Sequence, residues 1–157
     1  MCRGGPTPPY LKAVGDPFCL RDNPTRWRFT VDRTDFQRAL NHDPRTRVGT
    51  YLDTIKTTEK DQAGRVVSVV ISGEKSGPAV RGEVLRQLLN ERFGSQSIRS
   101  TRFTLARRGD QFVFEGQGWG HGIGLCQRGA AARARAGHSV AQIFHHYYPG
   151  TSLTQYY

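Results

Sequence analysis

Acidic residues are scarce in this chain. Asp and Glu total 13 against 23 Lys and Arg, for a formal net charge of +10 in 157 residues. No pair of carboxylates stands out for glycosidic acid–base work, which needs an acid and a second carboxylate. Glu115 is a lone glutamate at the end of a predicted strand. Long apolar runs are missing too. No stretch reaches the ~18 residues of a membrane-spanning helix. The opening residues, Met1 to Pro6, hold no apolar signal core, so the expectation is a protein that stays inside or a piece of something longer. Cysteines are few and odd in number: Cys2, Cys19 and Cys126. They describe no closed disulfide framework and carry no C-x-x-C zinc spacing. No phosphate-binding Walker loop occurs, and the alternate glycines fail the G-x-G-x-x-G spacing.

Glycine, in contrast, is concentrated. Between Glu115 and Gly129 the chain reads EGQGWGHGIGLCQRG, with glycine at 116, 118, 120, 122 and 124. If this stretch is extended, one face is bare and the other carries Gln117, Trp119, His121, Ile123 and Leu125. A bare face admits a second backbone or a flat ligand. Ordering so many glycines is costly in chain entropy, which favours a site over a stabilising element. Trp119 reads either as core or as a platform for a sugar ring. His121 reads either as a loop-bracing histidine or as a group that holds or polarises a ligand.

The surroundings read as α+β, mostly antiparallel strands with three or four helices in a single domain. Residues 1–25 are rich in Pro and Gly and read as loop. Strands are expected at Trp27 to Val31, Val48 to Thr58, Arg65 to Ser72, Ile98 to Ala106 and Gln111 to Glu115. The spacing predicts helices over Thr34 to Asn41, Arg81 to Phe93, Cys126 to Ala136, and from Ser139 to Pro149, where Ser139 and Gln142 form a capping box. Thr151 to Tyr157 reads as a final strand. Cys126 heads a helix, where the dipole favours a thiolate; a nucleophile paired with His121 and an inert buried thiol are both open. His145 and His146 point about 100° apart on their helix and do not share one metal easily. The basic balance admits anionic partners, nucleic acid included.

The glycine stretch and its continuation, GQGWGHGIGLCQRGA, an alanine-rich helix, AGHS and IFHHYYPGT, resemble the SpoIID/LytB family of sporulation and amidase-enhancer proteins. That family's pattern runs G-x-G-W-G-H-G-V-G-M-S-Q-Y-G-A, then I-L-x-H-Y-Y-P-G-T. Cys2 to Gly5, Tyr10 to Val14, Asp16 to Cys19 and Asp61 to Gly73 resemble further family segments, so the likeness spans nearly all of residues 1–157. Arg128 stands where the family has tyrosine. Nothing here matches the upstream helix that carries the family's proposed catalytic glutamate.

The resemblance implies a SpoIID/LytB-like domain, 1–157, lacking its N-terminal catalytic segment. It implies binding of peptidoglycan glycan strands denuded of stem peptides. In a lytic transglycosylase a general acid protonates the glycosidic oxygen while the sugar's own 6-hydroxyl closes on C1. No catalytic residue is assigned here, and the chain alone is expected to be inactive. Gln117, Trp119, Gly120, His121, Gly122 and Gln127 would line the glycan cleft. Cys2, Cys19, Cys126 and His121 could hold zinc; a disulfide or free thiols are the alternatives. A cell-wall amidase, or an upstream chain carrying the catalytic helix, would be the partner, in the cell envelope. The competing readings are a non-catalytic wall-binding or amidase-enhancing module and a basic nucleic-acid binder.

Overall fold

The computed structural model describes residues 8–20 and 26–154. They are α+β and divide into two compact units, one from 26–121 and one from 8–20 with 122–154.

The first unit opens with β1 (Arg26–Asp32), α2 (Arg33–Asn41), β2 (Leu52–Lys60) and β3 (Val66–Gly73). It continues through β4 (Val80–Arg81), α3 (Gly82–Phe93), β5 (Phe103–Arg108) and β6 (Gln111–Gln117). Both of its sheets are antiparallel and three-stranded, ordered β1-β6-β5 and β2-β3-β4. Alternation in β1 sends Trp27 and Val31 inward and Arg26, Arg28 and Thr30 outward. Phe36 of α2 meets Phe112 and Phe114 of β6 at ring distances of 5.3 and 5.7 Å, edge to face. Leu85, Leu88 and Leu89 close the core from α3. Each fully buried side chain of this size contributes about 1.5–3 kcal/mol.

Strand starts shift where side chains capture backbone. The Asn41 side-chain oxygen accepts from the amides of Val48 and Gly49, at 3.0 and 3.1 Å, and Gly49 has φ 86°. Residues 48–51 are therefore loop, and the strand expected from Val48 begins at Leu52. Asn90 likewise clamps both the amide and the carbonyl of Ile98, at 2.8 and 3.0 Å. The strand expected from Ile98 begins at Phe103.

The second unit holds α1 (Pro17–Leu20), α4 (Gln127–Arg135) and α5 (Val140–Tyr147). The one-turn α1 interrupts a segment expected to be loop, making five helices among the described residues. Ser139 and Gln142 form both halves of the capping box. Of the expected α5 stripe, Ile143 and Tyr147 are buried, whereas Val140 is 67% and Phe144 37% exposed. Residues 151–154 form no strand, and 155–157 lie outside the described residues. No described helix is long and apolar enough to cross a membrane.

Candidate functional site: an alternating glycine run

β6 carries the chain into the glycine run. Gly116 sits in the ladder opposite both Trp27 and Phe103. A Cβ there would overlap the Trp27 ring, so the indole lies directly under bare backbone. Beyond β6 the extended geometry ends. Gly118, Gly120, Gly122 and Gly124 have φ of 81°, 79°, 72° and 82°. The flat bare face expected from the period of two is therefore incorrect. The alternation records a left-handed backbone at every second residue, which only glycine adopts without strain.

The first half of the run is pinned to its unit. The Gly120 amide donates to the Arg99 carbonyl at 2.8 Å, and Arg65 Nη1 donates to the Gly120 carbonyl at 3.2 Å. The Gln117 carbonyl accepts from Ser100 Oγ at 2.7 Å. Burial, the largest influence, lowers the Arg65 pKa, and nearby Arg102 lowers it further while Asp61 opposes. Between these anchors Trp119 projects outward, 57% exposed, with the Arg99 guanidinium 5.4 Å from its ring centre. Gln117 and Gly120 are half-buried and His121 is exposed. Gly122 and Gln127 are exposed and belong to the other unit, where the Leu125 amide donates to the Tyr148 hydroxyl at 3.0 Å.

That second unit is built on a carboxylate that no local pattern in the chain marks as a site. Asp16 Oδ1 accepts from Arg133 Nη2 and from the Cys19 amide, each at 3.3 Å, and Tyr147 donates its hydroxyl proton to Oδ2. Arg133 is only 7% exposed, with its guanidinium 4.7 Å from the centre of the Phe18 ring. Arg133 Nη2 also lies 2.8 Å from His146 Nε2. A guanidinium only donates, so His146 Nε2 accepts and that ring carries its proton on Nδ1. Burial raises the Tyr147 pKa, and the bond to Asp16 adds to it. Gly129 leaves the room; a Cβ there would overlap Asp16 and the Tyr147 hydroxyl. Partners on helices distant in sequence leave no local pattern. The one available signal is Asp16 three residues before Cys19.

Cys126 caps α4, its sulfur accepting from the Gly129 amide at 3.4 Å. Its Sγ lies 3.0 Å from Cys19 Sγ, and Asp16, Cys19 and Cys126 cluster within 4.8 Å. Burial, then the bond to Cys126, push the Cys19 thiol up to about 11. Of the four expected zinc ligands, Cys2 lies outside the described residues and His121 belongs to the other unit. The donors that do gather do not fit zinc as they stand. Tetrahedral zinc, with bonds of about 2.3 Å to sulfur, spreads two thiolates to about 3.7 Å. Here the sulfurs are closer, and both Asp16 oxygens are already engaged.

Residues 20–124 match a family model described as a domain of unknown function (DUF8618). The chain is 44% identical over 68 residues to the amidase enhancer of Bacillus subtilis (strain 168), covering 43% of the chain and 10% of that protein. It is 29% identical over 149 residues to stage II sporulation protein D of the same organism, covering 94% of the chain and 38% of the relative. The Bacillus amyloliquefaciens protein of that name matches at 29% over 148 residues, with the same coverage. The likeness to SpoIID/LytB proteins thus runs through most of the chain, which spans well under half the length of these relatives.

Proposed function

The chain belongs to the DUF8618 family, and from that premise, with its likeness to sporulation protein D and the amidase enhancer, we propose that it binds cell-wall glycan along the glycine run. The observation that carries this reading is the exposed Trp119 ring, held beside a backbone pinned at Gly120. A pyranose lays its apolar face on such a ring while its hydroxyls remain open to polar neighbours. Gln117, Gly120 and the exposed His121 lie along the same run, with Gly122 and Gln127 further along the chain.

The glycan meant is one freed of its stem peptides, and the setting is the cell envelope. The residues at the run supply orientation rather than bond cleavage. The nearest carboxylate in sequence, Glu115, lies 3.7 Å from Arg28 Nη1 and is engaged as an ion pair. On this reading residues 1–157 are a glycan-holding part of a SpoIID/LytB-type machine whose acid comes from elsewhere. The 44% likeness to an amidase enhancer favours a second role, in which the bound chain stimulates a separate amidase.

The test is calorimetric titration with peptide-free glycan oligomers. Trp119→Ala is expected to weaken binding about tenfold, the loss of one ring stack. Unchanged affinity overturns the reading. Cleavage products from the chain alone would remove the claim that it only holds. Stimulation of an added amidase would establish the second role. Equal, steeply salt-dependent binding to random duplex would instead favour the nucleic-acid reading.

A further inference from the structure

A shallow groove of about 650 Å³ runs over the β1-β6-β5 sheet. Four cations line it, Arg26, Arg28, Lys60 and Arg102, against one carboxylate, Glu115. Register explains the gathering. Arg28 stands opposite Glu115 and Arg26 opposite Gln117, on the face turned away from buried Trp27. Glu115 is met by Arg28. Among the described residues no carboxylate pairs with Arg26, Lys60 or Arg102. Like charges held together repel one another, and a bound anion relieves them. Arginine forks suit a planar oxyanion in particular.

We propose that this groove reads carboxylates on the glycan, with Arg26, Arg28, Lys60 and Arg102 as the specificity-determining residues. The proposal rests on the glycan reading above. Gln117 lines the groove and stands two residues before Trp119 in the run. Hydrolysing the amide that ties a peptide to a glycan leaves a carboxylate behind.

Three probes test it with the whole chain: a carboxylate-bearing glycan oligomer, its neutral methyl ester and inorganic polyphosphate. The acid form is expected to bind about tenfold tighter than the ester, and the preference is expected to fade as salt rises. Arg26→Gln with Arg102→Gln, both exposed positions, is expected to abolish the preference while leaving ester affinity unchanged. Equal binding of acid and ester by the unaltered chain overturns the groove but leaves the glycan reading intact. So does a preference that survives the double change. Polyphosphate binding as tight as the acid glycan overturns the assignment to carboxylates. Binding of neither glycan form overturns the earlier reading, and this one with it.

The cysteines carry a second, independent inference. The structure assigns Cys19 and Cys126 to a disulfide, formed by exchange with a small-molecule disulfide such as oxidised glutathione. Their sulfurs lie 3.0 Å apart across 107 residues of sequence, closer than two thiolates on one tetrahedral zinc. One cysteine thiolate attacks the reagent and expels a thiolate. The other then attacks the mixed disulfide and expels the second. The two expelled thiolates take up the two protons that the cysteines lose, both cysteines are oxidised, and the reagent is reduced to two thiols. After treatment, non-reducing peptide mapping is expected to show 19 joined to 126, lighter by two hydrogens and absent from Cys19→Ser. Persistent glutathione adducts on both cysteines would overturn this. So would one zinc per chain shielding both from alkylation.

Discussion

The unit spanning 26–121 and the unit built from α1, α4 and α5 are held by different physics. The first is centred on apolar side chains: Phe36, Phe112, Phe114, Leu40, Leu85 and Leu89 are all under 2% exposed. The second has only Ile143 and Tyr147 as buried hydrophobics among its described residues. Its centre is instead the Asp16 carboxylate with Arg133 and Tyr147 around it. An apolar core tolerates trimming in proportion to the volume lost. A buried ion pair is all-or-nothing, because removing one partner strands the other.

The comparison is broken first at Phe114. Phe114→Ala is expected to destabilise by about 3–5 kcal/mol, through transfer and cavity terms together, read as a lowered urea midpoint. Asp16→Leu is expected to cost about 3 kcal/mol by stranding Arg133. The added change Arg133→Met should recover much of that, and no such rescue exists for Phe114. Hydrogen exchange locates the damage. Amides of 127–147 are expected to lose protection after Asp16→Leu and those of 26–117 to keep it; equal loss in both would erase the distinction. Ser139→Ala, which removes half of a capping box, is expected to cost about 1 kcal/mol, read as earlier thermal fraying of α5.

The smallest effect is acid sensitivity in the apolar-centred unit. Hydrogen bonds from the Arg45 side chain lower the Asp43 pKa, and the Thr50 amide lowers that of Glu74. Folding thus holds both groups ionised where the unfolded chain would take up protons. Their contribution is full above the ordinary carboxylate range near about pH 4 and is lost as pH falls below it. A pH series of melting temperatures for Asp43→Asn should be flatter on the acid side than that of the parent.

How far the chain can be read from its residues follows the same divide. Local patterns are legible: the leucine face of α3, the hairpin around Asp61 to Gly64 and the Ser139 capping box all lie within a few residues of sequence. Strand starts at 48 and 98 are not, because Asn41 and Asn90 take those amides from a distance. The glycine run stands out in the sequence as unusual backbone, yet its spacing suggests the wrong geometry. Period two describes an extended strand and an alternately left-handed chain equally well. Of the Asp16 cluster only Asp16 to Cys19 and the cysteines are marked in the sequence; Arg133 and Tyr147 are not, since they lie 117 and 131 residues from Asp16.

The handedness of the run has one more consequence. At Gly118 and Gly120 an ordinary Cβ would meet nothing within 4 Å. Alanine is excluded there by chirality alone, not by space. A semisynthetic chain carrying D-alanine at these two positions would suit the positive φ that L-alanine resists. The mirror-image residue would also remove freedom from the unfolded chain, so it would stiffen the loop while keeping its left-handed backbone.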